Sequence, residues 1–533
     1  MSGHWIDWVV FGIYLVTVFA FGLYMSRREE TSSDFFLAGR RLPWYAIALS
    51  LFASNISSGS LVALSADAYR YGMAVGTLEW GATICLALLA FVFLPFYRRA
   101  RVYTTPEFLE KRYGPTARML FATTALAVEL LVYMPFMFYA GGLFLEELFD
   151  LPFAVSIIGI ALFVGVYTTV GGLSAVVWTD VIQGALILAG GAIVTLLALN
   201  KIGGWSSFIA QVPETHMRVG LPADHPTYPF PGTMIGGFLM VSIYYWCQNQ
   251  TIVQRTLAAR SEWDSRMGAI GGGYIKLLLP LVVVLPGILA VVLIPGLGMG
   301  AEAEKALPKL IQLVVPTGLM GLIMAALIAS LMSSADSSLN SLSTIITKDF
   351  YHRWINKQAT EARLILVGRI ACVAVLVRTV WRAMTMAETP SLMQFLQMGL
   401  AYVAAPIIVI FLSGVFWRRA TSAAAVTTLI VAPFVCLVCQ NGNAWISSSW
   451  PTGVVYWLPI AVGILVTLMV AVSLMTRHKS ATELEGLIWT PRYAFSLEDR
   501  PDAEKGRYRL ISDYRFWGVL GLVLLVLEIW WLL

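Results

Sequence analysis

Five ionisable side chains, Glu79, Glu129, Asp180, Lys276 and Asp336, sit inside stretches whose other residues would suit a lipid core. An ionised group at the centre of a membrane helix costs at least about 2.5–3.5 kcal/mol on insertion scales, so it turns toward a partner or a water-filled path. Two readings stand for each: a structural ion pair, or a station on a route for polar cargo. Four further stretches thread small, hydroxyl or amide residues through apolar sequence. They are 53–60 (ASNISSGS), 242–250 (SIYYWCQNQ), 330–343 (SLMSSADSSLNSLS) and the run marked by Gln394 and Gln397. Such residues let helices pack closely. Alternatively, where a helix unwinds around them, freed carbonyls and serine hydroxyls are the hard oxygen ligands that a monovalent cation takes.

The elements that must hold these residues read as membrane helices. Hydrophobic residues make up 58% of the 533 and charged residues 13%, against about 45–50% and about 25% in soluble domains. Apolar runs occur near 6–26, 44–71, 74–98, 118–146, 152–170, 175–199, 231–256, 268–295, 316–348, 362–385, 390–418, 420–440, 453–475 and 513–533. That is about fourteen spans of an all-α polytopic membrane protein. The first run is preceded by MSGHWIDW, with no Lys or Arg, and is too long for a cleavable signal core.

Basic residues orient the spans. One set of alternate loops holds Arg27, Arg28, Arg40, Arg41, Arg98, Arg99, Arg101, Lys111, Arg112 and Arg118, then Arg255, Arg260, Arg266, Lys348, Arg353, Lys357, Arg418, Arg419 and the segment from Arg477 to Arg509. The other holds little beyond Arg70, Lys201, Arg218, Lys305 and Lys309. The asymmetry is roughly fivefold and predicts both termini outside the cytoplasm, in a multi-pass cell membrane protein.

Other classes drop out. The net charge of +5 is too small to imply nucleic acid. The five cysteines fall in apolar segments and spell no disulfide framework, and the five histidines lie outside the spans. No nucleotide-binding glycine-rich loop, metal-ligand cluster or nucleophile triad is present, so the reading is not an enzyme and not an ATP-driven pump. The interrupted second and seventh runs lie five spans apart, as corresponding helices of an inverted repeat do, and such breaks point to a midplane binding site. The residues therefore favour an ion-coupled transporter.

Over nearly its whole length the chain resembles a sodium:solute symporter of the sodium/glucose cotransporter group. The carrying motifs are DFFLAGRRLPWYAIALSLFASNISSGS (34–60), TPEFLEKRYG (105–114), GGLSAVVWTDVIQ (171–183), YYWCQNQTIVQRTLAAR (244–260) and LIASLMSSADSSLNS (327–341), with the FW of IFLSGVFWRR (410–419). The resemblance implies a LeuT-like core of two inverted five-helix repeats, 44–199 and 231–418. An extra helix and loop (1–43) would precede this core and three helices (419–533) follow it. It implies sodium-coupled symport of a monosaccharide by alternating access, by a protein working as a monomer. Uptake of an inositol, an amino sugar, sialic acid or another polar solute is the alternative, as is a sodium-independent facilitator.

Carried over by position, the sodium ligands are Ala53, Ile56, Ser330, Ser333 and Ser334. A second sodium site would use Asp180, Ser333, Asp336 and Ser337, where an acid at 336 departs from the family's serine or alanine. The sugar pocket falls on Ser60, Glu79, Ser242, Tyr245, Lys276 and Gln397, with Asn55 and Trp246 bracing Tyr245 and Met393 at the outer gate. Ser60 stands where sugar carriers hold a larger amide or imidazole, Ala82 where they hold a small polar residue, and Met393 where an aromatic is usual.

Overall fold

The computed structural model describes residues 5–26, 31–100, 102, 104–149, 151–386, 391–490 and 513–532. Arg27, Arg28, Arg101 and the stretch 491–512, which entered the charge count, lie outside the described residues. Among the described residues the protein is helical throughout, and the sole β-type pairing is an isolated bridge between Leu42 and Ala259. Eleven helices among the described residues are long and apolar enough to cross a membrane, and Phe153–Val166 and Gly232–Cys247 are shorter apolar helices.

Helix α1 (Trp5–Ser26) comes first. The second apolar run divides into α2 (Trp44–Asn55) and α3 (Ser58–Tyr71). Between them Ile56 leaves helical geometry, and the Ser57 hydroxyl accepts the Ser60 N–H at 3.0 Å to start α3. Small residues with side-chain oxygens allow this break because they replace backbone bonds that the interruption removes. Helix α4 (Gly76–Leu88) follows, then α5 (Pro115–Val128), a π-helical turn over Glu129–Tyr133, and α6 (Met134–Phe149). The expected runs 152–170 and 175–199 lie on two helical segments of α7 (Phe153–Ile202) that meet at Gly172, where the backbone leaves helical geometry with a φ of 49° that suits glycine.

The seventh run divides like the second, into α8 (Gly237–Cys247) and α9 (Gln250–Leu257). Asn249 caps α9 by accepting the Thr251 N–H at 2.8 Å. Then come α10 (Glu262–Leu293), α11 (Met320–Thr344), α12 (Glu361–Met384), α13 (Leu392–Phe416), α14 (Ser422–Gln440), α15 (Val454–Met475) and α16 (Tyr514–Leu532). Helix α10 lies close against α3: a Cβ on Gly287 would stand 2.2 Å from the Ser65 carbonyl oxygen.

Burial runs opposite to that of a soluble protein. The serine-rich helix α11 is enclosed nearly throughout, whereas α1 and α16 present Trp5, Val16, Trp530 and Trp531 outward. A polar interior wrapped in apolar side chains is the arrangement lipid demands.

Candidate substrate and cation sites

The two broken helices, α2–α3 and α8–α9, meet around a central cavity. Its lining includes Ser60, Glu79, Ser242, Tyr245 and Gln397, five of the six residues expected to bind solute, together with Asn55, Trp246 and Met393. Tyr133, Ala82 and a ring of leucines complete it. The cavity holds roughly 80 Å³, less than the about 300–1,000 Å³ usual for small-molecule sites. Ser60, Glu79, Tyr245, Trp246 and Met393 are each less than a tenth exposed.

Lys276 is placed differently from the expectation that it lines the pocket. It is fully buried on α10, and its ammonium donates to Glu79 Oε2 at 2.5 Å and to Asn55 Oδ1. It also lies 5.1 Å from the centre of the Trp246 ring. The lysine is thus spent from behind, and the groups left facing the cavity are acceptor-rich. Gln397 Oε1 has no hydrogen-bonding partner, and its amide nitrogen reaches only the Met393 sulfur at 3.7 Å. Below the cavity the Tyr245 hydroxyl bonds that of Tyr133 at 2.9 Å, while the Tyr245 ring meets Trp246 edge-on at 5.3 Å. The tyrosine ring offers a flat apolar platform and its hydroxyl closes the floor.

Beside the break at Ala53–Ile56 runs the serine face of α11. The last carbonyls of α2 lose their helical partners where the helix stops. Ser54 and Ser337 hydroxyl oxygens, 3.0 Å apart, join α2 to α11. Ser330 donates to the Leu327 carbonyl at 2.7 Å and Ser334 to the Ser330 carbonyl at 3.1 Å, while Ser333 donates to Asp180 Oδ1. Each of these serines thus gives its hydroxyl proton to an acceptor within the protein, which leaves the oxygen lone pairs for another donor or a cation.

At the second expected cation position, an arginine stands among the ligands. The Arg255 guanidinium, 1% exposed, donates to Ser50 Oγ at 2.7 Å, to Ser337 Oγ, and to Asp180 Oδ2 at 3.4 Å. Asp180 Oδ2 also accepts from Ser50 at 2.5 Å and Ser54 at 3.2 Å. Asp336 lies near the Tyr14 hydroxyl of α1, which also approaches Gln183 at 3.4 Å. Arg255 therefore places a fixed positive charge beside Asp180.

Comparison with known proteins accords with this arrangement. The model of the sodium:solute symporter family matches residues 35–432. The chain belongs to the sodium:solute symporter family. The symporter is 36% identical to a sodium/glucose cotransporter of Vibrio parahaemolyticus over 80% of its own length and 84% of that protein. It is 32% identical to sodium/myo-inositol cotransporter 2 of Rattus norvegicus, covering 81% and 69%. Among solved structures, a substrate-bound, outward-open sodium-coupled sialic acid symporter matches the symporter's fold with a TM-score of 0.78 at 24% identity, covering 89% of this chain and 99% of that one. These relatives are cotransporters, not enzymes.

Three residues of the symporter's site were not singled out from the sequence. Tyr133 lies in an apolar run without neighbouring polar residues, and only its spacing of four from Glu129 hinted at an inward face. Arg255 ends an apolar run, where a basic residue reads as a loop charge, yet it folds back into the core. Ser50 is one more serine in a long helix, and nothing in its local sequence marks it as a partner of Asp180.

Proposed function

We propose that this symporter couples the downhill movement of sodium to uptake of a small polyhydroxylated solute, a monosaccharide first, by alternating access. The core would be the two inverted repeats 44–199 and 231–418, within about fourteen spans of a monomer whose termini face outward. The observation that carries the reading is the central cavity that Glu79, Gln397, Ser60, Ser242 and Tyr245 line together. Hydroxyl-reading acceptors over an aromatic face are the chemistry of a sugar ring, and a site built to bond hydroxyls rejects analogues that lack them. No Arg, Lys or His lines the cavity among the described residues, and Lys276 is neutralised by Glu79. An anionic solute such as sialic acid would meet no free positive charge there.

A second reading, an inositol as the solute, is favoured by the myo-inositol cotransporter among the relatives and by Ser60, which leaves room where sugar carriers hold a larger side chain. Sodium would bind at Ala53, Ile56, Ser330, Ser333 and Ser334. One charge moved through 100 mV supplies about 2.3 kcal/mol, or roughly a fiftyfold gradient at 1.4 kcal/mol per tenfold.

The test is uptake of labelled glucose, galactose and myo-inositol into proteoliposomes with and without an inward sodium gradient. Accumulation above equilibrium that requires the gradient supports symport, and the solute that accumulates settles the class. Equilibration indifferent to sodium would leave a facilitator. Ser334→Ala should abolish the sodium requirement while leaving a folded protein, and unchanged sodium stimulation in that variant would refute the ion-site assignment.

A further inference from the structure

Tyr133 and Tyr245, which line the solute cavity, have a second polar pair close to them in the chain. Four residues before Tyr133 stands Glu129, and four after Tyr245 stands Asn249, whose side-chain amide donates to Glu129 Oε1 at 3.1 Å. Helix α5 leaves the face of the basic loops and α8 runs toward it. Glu129 therefore lies about one turn, roughly 6 Å, nearer that face than Tyr133, with Asn249 bonded to it. Glu129 and Tyr133 bracket one π-helical turn, a distortion that recurs at functional sites.

Glu129 is 5% exposed, and its Oε2 has no hydrogen-bonding partner. Ser338 of α11 stands beside the carboxylate as a second side-chain donor toward it, set outside strict hydrogen-bonding geometry. Among the described residues no Lys, Arg or His forms an ion pair with Glu129, unlike Glu79 and Asp180. A buried carboxylate with one amide bond, a loosely placed serine hydroxyl and no cationic partner, beside the break in α8–α9, lacks the positive charge that burial in the ionised form requires.

We propose that Glu129 is a cation station on the inner side of the tyrosine floor, taking a sodium ion or a proton at Oε2 with the Ser338 hydroxyl as a second ligand. The groups facing it are Tyr133 on its own turn, Tyr244 and Tyr245 of α8, Asn249 of α9 and Ser338 of α11, with Arg255 beyond, acting on the two floor tyrosines rather than on Glu129. Helices α12 and α13 also pack on this turn and present no charged group to the carboxylate. The station is a property of the site itself; only its use during release of solute rests on the symport reading.

Purified full-length protein in detergent tests this by equilibrium binding of sodium-22 at fixed pH, paired with proton uptake on stepping the pH between about 5 and 9 at fixed sodium. Wild type is compared with Glu129→Gln and Ser338→Ala. If the ligand is sodium, E129Q binds one sodium fewer per chain, and Ser338→Ala weakens that ion by about tenfold. If it is a proton, sodium counts agree and E129Q takes up one proton fewer. Equal sodium counts together with equal proton uptake overturn the proposal. Should E129Q fail to fold, Ser338→Ala decides, because it leaves the bond from Asn249 in place; unchanged sodium and proton titrations then overturn the proposal. A wild type without saturable sodium binding fails the symport reading instead, and the proton measurement alone judges Glu129.

Discussion

At the scale of single residues, Gln397 and Glu79 look alike as hydroxyl readers but differ in what holds them. The Gln397 oxygen is unpartnered and its nitrogen meets only a methionine sulfur, a weak acceptor. A solute hydroxyl would supply both missing bonds, and nothing else in the fold depends on this amide. Gln397→Ala should therefore weaken solute binding by about 1–3 kcal/mol, roughly ten- to a hundredfold, with sodium affinity measured without solute left within about twofold. Separate titrations of the two ligands, followed by tryptophan fluorescence with Trp246 beside the cavity, check this. A parallel loss of sodium affinity would mean that Gln397 acts through the fold. Glu79 makes a poorer probe, because its removal leaves the fully buried Lys276 without its ion-pair partner, a defect that costs about 3–5 kcal/mol wherever it occurs.

At the scale of elements, helix breaks were readable and helix phases were not. The interruptions at 53–60 and 242–250 show in the sequence because small, hydroxyl and amide residues replace lipid-compatible ones where backbone bonds are lost. The pairing of Glu79 with Lys276 was one of two open readings, since spacing alone cannot tell a paired lysine from one facing a cavity. The direction of Asp336 depends on how α1 packs against α11, and the folding back of Arg255 depends on the short helix α9; neither is a local property. Arg255 also yields a prediction. Arg255→Met leaves Asp180 buried and unpaired, which should cost about 3–5 kcal/mol, unless a cation enters the space vacated among Asp180, Ser50 and Ser337. Thermal unfolding in detergent should then show a large loss of stability at low sodium that high sodium partly restores, since a ligand stabilises whatever state binds it. An equal loss at both concentrations would show that the aspartate and its serines cannot hold a cation without the arginine.

At the scale of the whole molecule, a charge cluster at one end of the helices ties distant parts of the chain together. Arg70, at the end of α3, donates to Asp67 at 2.7 Å, to Glu304 at 3.1 Å and to the carbonyls of Met299 and Gly300. The Tyr228 hydroxyl donates to Asp67 at 2.6 Å. Glu304, on the loop after α10, also accepts from the Leu392 N–H at 3.4 Å, next to the Met393 that lines the solute cavity. Burial pushes the Glu304 carboxyl up to about 7; Arg70 opposes the shift and the charge of Asp67 adds to it. An opened, hydrated Glu304 would return toward the ordinary value of about 4.5. Between about 4.5 and 7 the closed form therefore holds one proton more than the open form, so acid favours closure by up to about tenfold per pH unit and the bias fades above the upper value. Solute presented at this face should show an apparent affinity that improves as pH rises from about 5.5 to 7.5. Glu304→Gln, which cannot ionise, should keep the acid-side affinity throughout. Solute KM measured at fixed sodium across that range checks both, and a wild-type pH profile retained in Glu304→Gln would place the titrating group elsewhere.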